Sequence, residues 1–304
     1  MNELDTREQM TFLLPMINFE TELPELSIKP DLRMRPLTRE EKQSLIRRIG
    51  PIEVTYPKLE KYCLEAKAKN IRPAMKKAYP IISALRLLKS NLVGINSILL
   101  GEASKTWMVY RYPGSMEADT SSRRIYKGIY VLKESEKADF LSLGNKIGKM
   151  ILDKKLRFAL GRLNMAYSSK WLDTKLLDYM IALESLYLPG ESEKQFRLCC
   201  YLTSTLSPVL DESTEEIWNF IHKAYGLRSQ IVHGSGSLSP RVKIGKGEDV
   251  VEVSIEDFVD KIEEYTRQSI REFIRRGKKV KEIQSNIKAK VIKDIGMEYI
   301  HQQG

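Results

Sequence analysis

The chain has 304 residues, of which 42% are hydrophobic and 30% are charged, a balance typical of a globular protein with a substantial core. No run reaches the roughly 18 apolar residues that a membrane-spanning helix requires, and the polar, acidic first eight residues do not resemble a secretory signal. We therefore expect no membrane partner.

The cysteines and the net charge indicate the cellular location and the kind of partner. Cys63, Cys199 and Cys200 are odd in number, and two adjacent residues make a poor disulfide framework. We expect reduced thiols and a cytoplasmic location. No metal-ligand spacing is present, so we expect no metal and no other cofactor. The net charge of +10 favours a phosphate-bearing partner, with a merely basic surface as the alternative explanation.

The first eighty residues hold eight of the twelve prolines, which predicts an irregular segment. Proline removes a backbone donor and disfavours helix in the residue before it. Within this segment, Thr38 followed by acidic residues predicts the start of a helix, which should end at Gly50. Apolar spacing predicts a further helical run over residues 59–68.

Two further elements are predicted before the middle of the chain. Residues 80–100 are strongly apolar and predict a buried helix that is broken near Gly94. Residues 106–112 and 124–132 are rich in aromatic and β-branched side chains, which predicts a β-hairpin. Their aromatic side chains are interpreted as the packing face of a sheet, with base stacking as the less common alternative.

After residue 135 the sequence changes to amphipathic helices with short polar breaks. The predicted fold is therefore mainly α. A smaller α+β region at residues 1–135 contains the hairpin, a helical bundle covers residues 136–276, and a basic tail covers residues 277–304. The predicted bundle helices lie at residues 138–167 (interrupted near Gly144 or Gly148), 170–188, 193–206, from 213 through 225, and 254–276.

Three chemically useful side chains lie within six residues of one another: Arg228, Ser229 and His233. An imidazole can remove the proton of a ribose 2′-hydroxyl, and a guanidinium can hold the crowded phosphorane that follows. Ser229 can orient His233 or donate to a phosphate oxygen. The products would be a 2′,3′-cyclic phosphate and a free 5′-hydroxyl, and this scheme requires no metal.

The spacing Arg228-Ser229-x-x-x-His233 resembles the R-x4-6-H signature of the HEPN superfamily of ribonucleases and RNA-binding domains, and the surrounding chain resembles its ApeA-like branch. The resemblance covers residues 156–274. It also rests on an apolar helix with an embedded Glu184, on Arg197 in the following helix, and on the final bundle helix around Tyr265. It implies a compact bundle that dimerises and, in active members, metal-independent RNA cleavage.

Helix geometry adds a constraint on the motif. Two residues five apart on a regular helix differ by about 140° in direction, so Arg228 and His233 would not share a face. Either the helix ends here, as Gly234-Ser235-Gly236 indicates, or each side chain serves a different half of a two-fold site. The second option agrees with the homodimer and composite active site that the resemblance implies.

Other polar residues are predicted to support the motif or to bind RNA. Glu184 and Arg197 are interpreted as an ion pair between two helices or as catalytic groups, and Asp178 as facing solvent or that pair. The histidines outside the motif, His222 and His301, are predicted to be surface residues. The basic residues after the bundle either grip RNA or are simply solvated; those predicted to bind RNA are Arg275, Arg276, Lys278, Lys279 and Lys281. Apolar spacing predicts that part of this tail is helical.

The leading functional hypothesis is a HEPN-type endoribonuclease, with a role in prokaryotic defence or toxin-like growth control that comes only from the resemblance. The N-terminal region would then sense a trigger or restrain the nuclease. One alternative is a non-catalytic RNA- or nucleotide-binding HEPN module, and a second is a helical dimeric interaction protein.

Overall fold

A computed structural model describes residues 9–49, 61–95, 98–103, 106–111, 128–150, 153–190, 193–234, 238–245 and 250–303. The chain divides into two compact units, Met1–Gly148 and Lys149–Gly304. The structure is mainly helical, with a small antiparallel sheet in the N-terminal unit. Across the described ranges, none of the helices combines the length and the apolar character that crossing a membrane would take.

The N-terminal unit is built on one antiparallel sheet in the strand order β3-β4-β5-β1-β7-β8, with the short β6 also paired to β1. A separate parallel pair joins β2 to β9. The strands are β1 Met10–Ile17, β2 Phe19–Thr21, β3 Leu26–Lys29, β4 Leu32–Pro36, β5 Tyr62–Ala68, β6 Gly94–Ile95, β7 Ile98–Ala103, β8 Thr106–Arg111 and β9 Tyr130–Leu132.

The prediction that the first eighty residues are irregular is wrong, because five of these strands lie there. Pro15 shows how the prolines are accommodated. It stands opposite Cys63 of β5, and on the other side of β1 the described pairing passes from β7 at Leu13 to β6 at Met16. Pro15 lies in that gap of the ladder, where a missing backbone donor costs least.

The helices of this unit were predicted in part. Helix α1, Arg39–Ile49, begins where expected, because the Thr38 hydroxyl accepts from the Glu41 N–H while the Glu41 carboxylate accepts from the Thr38 N–H. The helical run predicted at residues 59–68 is wrong. Its described part is β5, which pairs with β1 and β4 on its two sides, and a strand buried in this way cannot be distinguished from a helix by apolar content.

The apolar run at residues 80–100 is also not one helix. Helix α2, Ile71–Leu88, accommodates Pro80 in its interior, and β6 and β7 follow it. In the described residues, β8 pairs with β7 and β9 pairs with β2. The hairpin predicted between residues 106–112 and 124–132 is not among these pairings, and residues 112 and 124–127 lie outside the described ranges. Tyr130 of β9 belongs to a packing face, because it is buried and its ring stacks on Phe19 at 5.9 Å.

The second unit is a helical bundle with a short hairpin. The predicted helix over residues 138–167 is two helices, separated at Asp153, which caps the second of them. The helices before and after this break are α3 Lys137–Met150 and α4 Lys154–Ser168. The bundle continues with α5 Leu172–Tyr187, α6 Lys194–Leu206, α7 Thr214–Val232, β10 Arg241–Ile244, β11 Val251–Ser254, α8 Ile255–Arg276 and α9 Val280–Gln303.

Helix α5 lies at the centre of the bundle, since it packs against α4, α6, α7, α8 and α9. Its residues Leu176, Met180 and Leu183 are fully buried. Helix α3, in contrast, belongs mostly to the N-terminal unit: a Cβ placed on Gly144 would lie 3.4 Å from Ile81 Cδ1 of α2. The contacts therefore divide the chain after residue 148, whereas the sequence placed the boundary after residue 135.

The basic tail is also part of the bundle. Its helix α9 buries an apolar stripe of Val280, Ile283 and Ile287, as the spacing of apolar residues predicted. Gln284, on the same helix, donates to the Leu186 carbonyl at the end of α5 at 2.7 Å. These contacts fix the first half of α9 against the bundle.

Candidate functional site

The candidate site lies at the carboxyl end of α7. The helix starts with a reciprocal capping box, in which Ser213 Oγ accepts from the Glu216 N–H and the Ser213 N–H donates to Glu216. It ends at Val232, and the His233 N–H donates to the Ser229 carbonyl at 3.0 Å. The predicted helix end is therefore correct, and His233 is the residue that caps it.

Gly234 completes the end of the helix. Its φ of +67° is in the left-handed region, which glycine adopts without the steric penalty of a Cβ. Its N–H donates to the Ile231 carbonyl at 3.2 Å. The backbone around His233 is thus held by two hydrogen bonds, while the His233 side chain itself is exposed.

Arg228 is held against α5. Its Nε lies 3.0 Å from Glu184 Oε1, and its Nη2 donates to Glu184 Oε2 at 3.4 Å. The closer approach lacks hydrogen-bond geometry, so it is an ionic contact supported by one long hydrogen bond. The Arg228 guanidinium also lies 5.8 Å from the centre of the Tyr225 ring, one turn earlier on α7.

Burial affects the pKa of Glu184 more strongly than the neighbouring cations do. Burial raises the pKa of Glu184, and the neighbouring Arg228 and Lys194 offset only part of that rise. Burial also raises the pKa of Tyr225, and the Glu184 charge adds to the rise. A carboxylate, a phenol and a guanidinium therefore lie together, partly buried, beside the exposed helix end.

His233 and Ser229 are available for chemistry. Among the described residues, neither the imidazole of His233 nor the hydroxyl of Ser229 has a hydrogen-bond partner. The contribution of Ser229 that the structure does show is its carbonyl, which accepts from the His233 backbone. Arg228 turns toward α5 while His233 lies at the exposed cap, so the two side chains are close in sequence without sharing a contact.

The predicted supporting residues have different partners from those expected. Glu184 pairs with Arg228, where the sequence suggested Arg197. Arg197 forms an ion pair with Glu193 at 3.8 Å, one turn earlier on α6. Asp178 is buried and pairs with Arg162 of α4 at 3.0 Å, so the expectation that it faces solvent or the Glu184 pair is wrong. Burial raises the pKa of Asp178 and Arg162 lowers it in part.

The predicted RNA-binding residues fall into two groups. Arg275 and Arg276 pair with the buried Glu272 on the preceding turn of α8. The lysines that follow the Gly277 cap are exposed; they are Lys278, Lys279 and Lys281. Lys281 lies close enough to the Lys155 ammonium to help lower its pKa, although burial is the larger cause. The cluster thus extends to the start of α4, which the sequence did not predict.

Two residues of the site were missed from the sequence. Tyr225 lies one turn before Arg228 on α7, and this spacing is a detectable signal for contact between a ring and a guanidinium. Lys194 is the first residue of α6, and its proximity to Glu184 depends on how α6 packs. In the part of the chain that the structure describes, His, Cys, Asp and Glu side chains form no group of three that could hold a metal ion.

Comparisons with protein-family models, curated proteins and solved structures give no match. The candidate site is therefore defined by its own geometry: a partly buried guanidinium fixed by a carboxylate, and an exposed imidazole at the end of the same helix.

Proposed function

We propose that this chain is a HEPN-type endoribonuclease that cleaves RNA without a metal, through attack of a ribose 2′-hydroxyl on the adjacent phosphorus. The observation that carries the proposal is the placement of Arg228 and His233 at one helix end, with Arg228 positioned by Glu184 and the His233 imidazole exposed. The resemblance of residues 156–274 to the ApeA-like branch supports it.

Each side chain has a defined role in this scheme. His233 removes the 2′-hydroxyl proton as that oxygen attacks phosphorus. The bond from phosphorus to the 5′-oxygen then breaks, and the protonated imidazole returns the proton to that oxygen, which leaves as a hydroxyl. Arg228 stabilises the negative charge that develops on the phosphorane oxygens, and Ser229 donates a hydrogen bond to the phosphate or to His233. Glu184 positions Arg228, and the exposed lysines after α8 bind the RNA backbone.

The active unit in this proposal is a homodimer. Arg228 is held toward α5 and His233 lies at the exposed helix end. A two-fold axis near the end of α7 would bring Arg228 of one chain close to His233 of the other in each half of a composite site. A role in prokaryotic defence or in toxin-like growth control, which only the resemblance implies, fits such an enzyme, with the N-terminal unit sensing a trigger or restraining the nuclease.

The test is cleavage of an end-labelled RNA in EDTA by wild type, His233→Ala and Arg228→Ala. His222→Ala is the matched control, because His222 is an exposed histidine on the same helix. We expect cleavage with cyclic phosphate ends by wild type and His222→Ala only. Equal cleavage by all four proteins would refute the site. A companion growth assay should show that cells tolerate His233→Ala better than wild type.

The ion pair between Glu184 and Arg228 favours a second candidate, a non-catalytic RNA-binding HEPN module, because it neutralises the cation that cleavage would use. RNA binding by wild type with no cleavage, and no growth difference between wild type and His233→Ala, would select this candidate. Dimerisation without any RNA affinity would instead select a helical interaction protein.

A further inference from the structure

Two aromatic rings form a pair on the outer surface of the bundle, on the approach to the candidate site. Phe196 lies in the first turn of α6, and its side chain is 55% exposed. Its ring meets the half-buried Trp218 ring of α7 edge to face, with centroids 5.5 Å apart and an interplanar angle of 75°. The Phe196 ring is therefore open to solvent on the surface of the bundle, and the partly buried Trp218 ring supports it.

The helices beneath this pair are tied together. Gln195 Nε2 donates to the His222 carbonyl at 3.1 Å, which fixes the first turn of α6 against the middle of α7. A ring held on two joined helices loses little additional freedom when a flat ligand stacks on it. A single exposed phenylalanine is ordinary, but an exposed ring supported by a second ring on a rigid base is suited to stacking.

The ring pair is continuous with the candidate site along α7. Tyr225 and Ser229 follow Trp218 by seven and eleven residues, so the three lie within about 20° of one direction on the helix. The distance from Trp218 to Ser229 along the axis is about 16 Å at ~1.5 Å per residue. That is roughly five nucleotides at the ~3.4 Å spacing of stacked bases.

The charges near the first turn of α6 are of both signs. Glu193 pairs with Arg197 and Glu184 pairs with Arg228. The exposed Lys194 lies near enough to Glu184 to lower its pKa in part, so it brings a further cation close to the Glu184–Arg228 pair, where it can attract an RNA phosphate.

We propose that the Phe196–Trp218 pair is a base-stacking platform for single-stranded RNA, which holds an unpaired base a few nucleotides from the phosphate at Arg228. This inference rests on the proposed ribonuclease function and specifies its substrate as RNA with unpaired bases. Stacking on an aromatic face tolerates any base, so the platform selects single strands over duplexes without selecting a sequence.

The test measures RNA affinity by fluorescence anisotropy in the full chain carrying His233→Ala, so that the RNA remains intact. The probes are a labelled single strand and the duplex of the same sequence. Phe196→Ala and Phe196→Leu should each weaken binding of the single strand roughly tenfold and leave binding of the duplex unchanged. Phe196→Trp should bind the single strand as tightly as the parent protein does. Phe158→Ala is the matched control, because Phe158 is another exposed phenylalanine, 46% accessible on α4.

The outcomes separate this inference from the function beneath it. If the parent protein binds RNA and both Phe196→Ala and Phe196→Leu bind the single strand as tightly as it does, the platform is overturned and the nuclease proposal stands. Absence of RNA binding by the parent would overturn both. A shift from dimer to monomer in Phe196→Ala with unchanged RNA affinity would assign the rings to self-association and overturn the platform.

Discussion

Glu184 Oε1 lies 3.0 Å from Arg228 Nε, and this ionic contact joins the central helix of the bundle to the helix that carries the candidate site. Both side chains are mostly buried, with exposed fractions of 18% and 24%. The contact fixes the direction of Arg228 at the cost of removing a carboxylate from water. This loss of hydration is the main reason that the pKa of Glu184 is raised.

This pair predicts a pH dependence of folding stability. The folded-state pKa of Glu184 is raised above its ordinary value of 4.5, so the native chain binds the proton more tightly than the unfolded chain does. The contribution of Glu184 to the free energy of unfolding is therefore full below pH 4.5 and is lost as pH rises through the folded-state pKa. Arg228→Ala should enlarge this loss, since it removes the cation that lowers the pKa. Glu184→Gln should abolish it. Urea unfolding midpoints measured from pH 4 to pH 7 give the comparison, and an unchanged slope in Arg228→Ala would contradict the prediction.

Glu184→Gln also tests the positioning of Arg228. The amide keeps the size of the carboxylate but not its charge, so Arg228 loses its ionic partner while its surroundings stay packed. In the cleavage assay we expect the rate constant to fall and RNA affinity to stay within about threefold, because the substitution changes how Arg228 is aimed and leaves the exposed lysines intact. Loss of affinity with an unchanged rate constant would assign Glu184 to binding.

Asp153 caps two helices, which predicts an unusually large loss on its removal. Its Oδ1 accepts from the Lys155 and Leu156 N–H groups at the start of α4, and its Oδ2 accepts from the Val280 N–H at the start of α9 at 3.0 Å. At about 1 kcal/mol per cap, Asp153→Ala should lower the free energy of unfolding by about 2 kcal/mol. Ser254→Ala, which removes the single cap of α8, should cost about half as much in the same urea titration.

The basic cluster predicts which residues set the salt dependence of RNA binding. Lys278, Lys279 and Lys281 are exposed, so each alanine substitution should reduce the slope of log affinity against log salt by about 0.7. Arg275→Ala should reduce it less, because Glu272 already pairs with Arg275. Affinities at several salt concentrations provide the slopes, and an equal effect of Arg275→Ala would show that the Glu272 pair opens on binding.

The N-terminal unit should respond to pH in the opposite direction from Glu184. Glu65 accepts from Arg33 Nε at 2.8 Å and from Arg35 Nε at 2.5 Å. Burial alone would raise the pKa of Glu65, and the two arginines outweigh it, so its folded-state pKa is below the ordinary 4.5. Its contribution to stability is therefore full above pH 4.5 and is lost as pH falls through the folded pKa. Glu65→Gln should lower stability at pH 7 and flatten its decline between pH 5 and pH 3, as followed by thermal unfolding.

The local signals along the chain predicted much of the bundle. Ser213 and Glu216 form the capping box that starts α7, Gly234 follows its last turn, and Pro189-Gly190 follows α5. Such signals act within one turn of helix, through backbone donors and acceptors that the neighbouring side chains satisfy. They can therefore be recognised without knowing what the helix packs against.

The tertiary structure alone decided the pairings. A run such as residues 62–68 became a strand because β1 and β4 flank it, and β7 is the described partner of β8. In the site, the sequence determined that Arg228, Ser229 and His233 lie at one helix end, and it singled out Glu184 as a buried acid. Only the packing of α5 against α7 placed Glu184 beside Arg228 instead of Arg197. Long-range partners depend on which surfaces meet, and residues 44 positions apart in the chain, as these two are, carry no local signal of their contact.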